Sequence, residues 1–76
     1  MRITYDTKAD ALYISLQEGV FAKNREVEQG VVLDLGPNDE LLGIEILDAA
    51  TRLNLSDIAK VSIEMPLNLT EAAVSP

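Results

Sequence analysis

Leu41-Leu42-Gly43-Ile44-Glu45-Ile46-Leu47-Asp48-Ala49-Ala50 decides how this chain folds, because in it a strand-like alternation runs without a break into a helix start. Leu42, Ile44 and Ile46 recur at period two and point to one face of a strand, while Gly43 and Glu45 point to the other. Three aliphatic side chains on one face predict burial. Asp48 carries a carboxylate suited to capping the free N–H groups of a first helical turn, and Ala49, Ala50, Arg52 and Leu53 are acceptable to good helix formers. The strand therefore delivers the chain onto the apolar side of a sheet.

Working backwards, Gly36-Pro37-Asn38-Asp39-Glu40 carries turn chemistry on nearly every residue, and Val31, Leu33 and Leu35 alternate with Val32 and Asp34 before it. The two runs form a hairpin. Gln29-Gly30 interrupts the pattern, and Val20 to Glu28 reads as an edge strand whose Lys23, Arg25 and Glu26 oppose pairing with another sheet. Nearer the start, Ile3 and Tyr5 alternate with Arg2 and Thr4, and Leu12, Ile14 and Leu16 alternate with Ala11, Tyr13 and Ser15. Asp6 to Asp10 joins these two strands, and Gln17-Glu18-Gly19 closes the second.

Beyond the central stretch, Asn54 ends one helical turn and Ser56 caps a second that runs to Lys60. Val61, Ile63 and Met65 then alternate with Ser62 and Glu64, predicting a last short strand that stops at Pro66. Thr70 to Pro76 has the small, polar character of a frayed tail, leaving residues 1–69 as one domain. The expected fold class is α+β: a small antiparallel sheet of five to six strands with one or two short helical segments after the central hairpin.

The 76 residues bury only about 60 to 65% of the unfolded surface in a chain of this length, so the core is thin. It is also aliphatic, with 47% hydrophobic residues but one Phe, two Tyr and no Trp. Neither Cys nor His is present, which removes disulfides and the usual zinc sites. Stability then depends on local packing and self-association. Thirteen acidic against six basic residues give a formal charge of −7, which argues against nucleic acid or an anionic membrane as partner and is compatible with a basic protein. No segment approaches the ~20 apolar residues of a membrane span, and the start shows no signal-peptide pattern. A cytoplasmic location is expected.

Met1-Arg2-Ile3-Thr4-Tyr5-Asp6, Asp10-Ala11-Leu12-Tyr13-Ile14 and Gly43-Ile44-Glu45-Ile46-Leu47-Asp48-Ala49, in that order, resemble the small bacterial proteins of the DUF2283 family. The resemblance covers about the first fifty-five residues, stops before the stretch after Lys60, and implies a compact antiparallel sheet with a short helix. It carries no catalytic motif to transfer. Members often look like one half of a two-gene unit beside a small toxin-like protein, so the resemblance also implies an antitoxin-like role.

Without His or Cys the familiar nucleophile and base arrangements are absent, so no enzymatic activity and no cofactor are expected. Asp6, Asp10, Glu45 and Asp48 form the candidate ligand cluster for a hard cation or small ligand, weighed against ordinary duties in turns, a cap and a solvated strand face. Association is the stronger theme. Tyr13, Val32, Leu41 and Leu47 lie on the face opposite the predicted core, and Val61, Ile63, Met65, Leu67 and Leu69 follow the domain as an apolar run. These nine residues are the interface candidates, for a homo-oligomer and for a basic protein partner.

Overall fold

The structure is a computed structural model that describes residues 1–66. Five strands form one antiparallel sheet: β1 (Arg2–Asp6), β2 (Ala11–Ser15), β3 (Lys23–Glu28), β4 (Val31–Leu35) and β5 (Leu41–Leu47). Two single-turn helices follow, α1 (Ala49–Arg52) and α2 (Leu55–Ile58). The spatial order is β1-β2-β5-β4-β3, so the stretch from Leu41 is the central strand and joins two hairpins. This is the expected α+β architecture.

Each turn has its chemical reason. In the β1–β2 turn the Asp6 carboxylate accepts from the N–H groups of Lys8 and Ala9 at 2.9 and 3.1 Å, closing an Asx turn. Between β3 and β4, Gly30 takes φ 80°, a left-handed conformation that other residues resist, and its carbonyl accepts from Leu47 N–H at 2.8 Å. At the β4–β5 turn Asp39 N–H donates to the Gly36 carbonyl at 3.1 Å, and Gly36 N–H to the Glu40 carbonyl at 2.9 Å.

Because β2 and β3 are separated by β5 and β4, the Leu16–Ala22 connection must cross about 14 Å of sheet at the usual strand spacing. It does so along the sheet end. Leu16 N–H, the Gln17 amide and Ala22 N–H donate in turn to the carbonyls of Leu42, Leu41 and Leu35, each at 2.8 Å. A bulge between Asp34 and Leu35 sets Leu35 opposite Leu41, and Leu42 is buried against Gly19 of the connection. The expected edge strand thus begins at Lys23 and not at Val20, because Val20 to Ala22 belong to this crossing.

Three other expectations are corrected. Asp48 does not cap α1 with its side chain: it sits at φ 52°, ψ 43°, in the left-handed region and not in the extended backbone usual for a capping residue, and its carboxylate accepts no bond from the helix N–H groups. Asp10 does that work from the β1–β2 turn, its carboxylate accepting from Ala50 N–H at 2.9 Å and its carbonyl from Ala49 N–H at 3.0 Å. Ser56 does not cap α2 either; Asn54 precedes the helix and its side-chain oxygen accepts from Ser56 N–H at 3.2 Å and Ser56 Oγ at 2.6 Å. Finally, Val61 to Met65 form no strand. Val61 borders a pocket with Ile3, Tyr5, Leu12 and Ile58, and Val61, Ile63 and Met65 are more than half exposed, without the ladder pairing that a strand requires.

Candidate functional site

The register sorts the side chains into two faces. On the first, Ile3, Ile14, Ile44 and Leu33 stand side by side across β1, β2, β5 and β4, and Tyr5, Leu12, Ile46 and Val31 form the adjacent row. Charged residues appear only at its β3 margin, where Arg25 lies opposite Leu33 and Glu28 opposite Val31. On the second face the corresponding rows are polar: Thr4, Tyr13, Glu45, Val32 and Glu26, then Arg2, Ser15, Gly43, Asp34 and Asn24. One face is apolar and the other is wet.

Among the described residues the apolar face is incompletely covered. Leu55 and Ile58 of α2 sit over its β1–β2 corner, together with Val61. Among the described apolar residues only Leu12, Leu35, Leu42 and Ala49 are buried, while Ile3, Ile14, Val31, Leu33, Ile44 and Ile46 remain half-buried in one continuous field. A native aliphatic core is packed close to solid density, and two single-turn helices are too small to provide that over five strands. Val61, Ile63 and Met65, more than half exposed, lie in the chain that follows the covered corner.

The nine residues proposed from sequence fall in several places. Tyr13 and Val32 are half-buried on the polar face with Glu45 between them, so they do not form one apolar patch. Leu47 is exposed at the end of β5 opposite Ala11, and Leu41 is half-buried at the bulge. Val61, Ile63 and Met65 are exposed, and Leu67 and Leu69 lie outside the described residues, as does the tail from Thr70. The larger apolar surface is the opposite one, which reading by alternation assigned to the core. Only the small size of the helical segments, set against five strands, could have signalled in the sequence that it stays open.

The carboxylates of the candidate ligand cluster have separate duties. Asp6 closes the first turn, and Asp10 accepts both from Ala50 N–H and from the Tyr5 hydroxyl, at 2.7 Å. Asp48 occupies a left-handed backbone position, and Glu45 lies between Tyr13 and Val32. Among the described residues no group of three or more such side chains is placed to hold a metal ion. The bond to the Asp10 carboxylate, which favours the protonated phenol, leads in raising the Tyr5 pKa. For Tyr13 burial leads, followed by the bond to Asp34 and the charges of Asp34 and Glu45.

Comparison with known proteins gives a family match over residues 2–49 to the model described as "Protein of unknown function (DUF2283)". A protein of Methanosarcina mazei named putative hypoxanthine phosphoribosyltransferase is 33% identical over 52 residues, 68% of this chain and 42% of that protein. The chain therefore spans about two fifths of the curated relative it matches. No solved structure matches. No helix among the described residues is long and apolar enough to cross a membrane.

Proposed function

The chain belongs to the DUF2283 family of proteins of unknown function, and we propose that it is a non-enzymatic interaction module that self-associates through the apolar face around Ile14, Leu33 and Ile44. The supporting observation is that continuous field of half-buried aliphatic side chains, which among the described residues the two single-turn helices leave uncovered. A second copy supplies the missing layer, as in sheets packed face to face. Five strands of about five residues present roughly 400 Å² in projection, so two copies hide on the order of 800 Å² before side-chain relief is added. That lies below the standard size of stable specific interfaces and corresponds to a weak, reversible dimer.

The formal charge of −7 supports a basic polypeptide as a further partner of the pair and is compatible with the antitoxin-like role that the family resemblance implies. The named activity of the Methanosarcina mazei relative is not carried over, since the chain covers under half of that protein.

Two adjacent residues on opposite faces provide the test. Leu33→Lys places a charge in the apolar field and Val32→Lys places the same charge on the polar face. By size-exclusion chromatography with light scattering, Leu33→Lys runs as a folded monomer and Val32→Lys as a dimer. If Leu33→Lys fails to fold, Leu33→Gln takes its place. A folded variant at Leu33 that keeps the dimer mass overturns the proposal.

A further inference from the structure

On the polar face, β2, β4 and the connection from Gln17 to Phe21 enclose an open cleft of about 680 Å³. Tyr13 and Phe21 contribute aromatic rings, Asp34 and Glu18 contribute carboxylates, and no lysine or arginine is among its lining residues. Its shape depends on Gly43. A Cβ there would collide with the Tyr13 phenol and approach the Ile14 carbonyl at 2.9 Å, so glycine lets the ring lie across β5. Asp34 stands opposite Gly43 across β4 and β5, so it lines the cleft together with that ring. A placed ring and a placed carboxylate thus share one wall.

We propose that this cleft binds an organic cation, a guanidinium or primary ammonium on an aliphatic stem, with Asp34 and Glu18 facing the charge and Tyr13 and Phe21 facing the stem. Carboxylates form short charge-assisted hydrogen bonds with such groups, and aromatic faces attract them. The raised Tyr13 pKa is consistent, because the charges of Asp34 and Glu45 that contribute to it also make this wall electronegative. The same groups repel phosphates and carboxylates. Two sources share the chemistry: a free polyamine, or an arginine side chain of a basic polypeptide. The inference does not rest on self-association, since Tyr13, Ser15 and Asp34 lie on the face opposite the apolar field.

The experiment is titration of the full chain with agmatine, followed through the Tyr13 ring resonances, with hexane-1,6-diol as an uncharged stem. Agmatine gives saturable shifts and the diol gives none. Asp34→Asn and Phe21→Ala each weaken binding about tenfold with unchanged far-UV spectra, and Glu28→Gln, which removes the same charge from β3 outside the cleft, leaves it within about twofold. An acetylated Gly-Arg-Gly amide that binds as agmatine does assigns the source to a polypeptide side chain; binding of agmatine alone assigns it to a free amine. Equal weakening in Glu28→Gln and Asp34→Asn, absence of saturation, or shifts with the diol overturn the proposal.

Discussion

Asp10 and Asp48 have nearly the same backbone, at φ 51° and 52°, yet only Asp10 accepts hydrogen bonds from the start of α1. Replacing each by glycine relieves the same left-handed strain and adds the same freedom to the unfolded chain, so the difference isolates the side chain. Loss of a capping side chain to alanine costs about 1 kcal/mol, within about 0.5 to 2, and to glycine at the cap itself only a few tenths. Asp10 caps from a distant turn, where glycine offers α1 no substitute, so the larger figure applies. Asp10→Gly also releases the Tyr5 hydroxyl, which acts in the same direction. For a domain of this size 1 kcal/mol corresponds to about 4 to 8 °C in melting temperature. Thermal unfolding by circular dichroism, at one protein concentration because association also shifts the midpoint, gives the comparison. Asp10→Gly melts lower than Asp48→Gly by that interval, and Asp48→Gly melts at or above the parent. A lower midpoint for Asp48→Gly than for Asp10→Gly refutes the assignment of the cap.

Gly43→Ala destabilises by about 1 to 3 kcal/mol in denaturant titration, because its Cβ overpacks against the Tyr13 phenol, and removing the ring with Tyr13→Ala restores only part, since the Ile14 carbonyl still crowds it. Asp39 has its carboxyl held below the ordinary value near 3.8, first by the hydrogen bond from Lys23 and then by its charge, with Nζ at 2.7 Å. A lowered folded pKa means its contribution is present above that ordinary value and is lost as pH falls through the folded one; carboxyl NMR of Lys23→Met shows the Asp39 midpoint moving up. Tyr13 has the opposite sign: its raised pKa means a contribution complete below the ordinary value of 10.0 and lost as pH rises through the folded one. Ultraviolet titration of Asp34→Asn shows Tyr13 ionising at lower pH than in the parent.

Most of the fold was legible because it depends on short-range patterns. Alternation in Leu42, Ile44 and Ile46 marked the central strand, and Gly36 to Glu40 marked the turn that pairs it with β4. The pairing of β5 with β2 was not legible, since it joins segments about thirty residues apart and depends on the Leu16–Ala22 connection crossing the sheet end. The cap failed for the same reason. An aspartate directly before a helix is the local expectation, and a second aspartate forty residues earlier took its place through tertiary contact. Val61 to Met65 show the limit of alternation, which marks a segment able to be a strand but not whether a sheet edge lies beside it. The candidate association face was half legible: its residues were identified, but how little the helices cover them follows only from three-dimensional placement.

The most direct measurement is sedimentation equilibrium of the unmodified chain from about 1 to 100 µM, a range that spans the dissociation of a small interface. Pairing through the apolar face predicts a reversible rise from the chain mass of 8.3 kDa to twice that value, with no larger species. A single 8.3 kDa species across the whole range, still unfolding cooperatively, contradicts it.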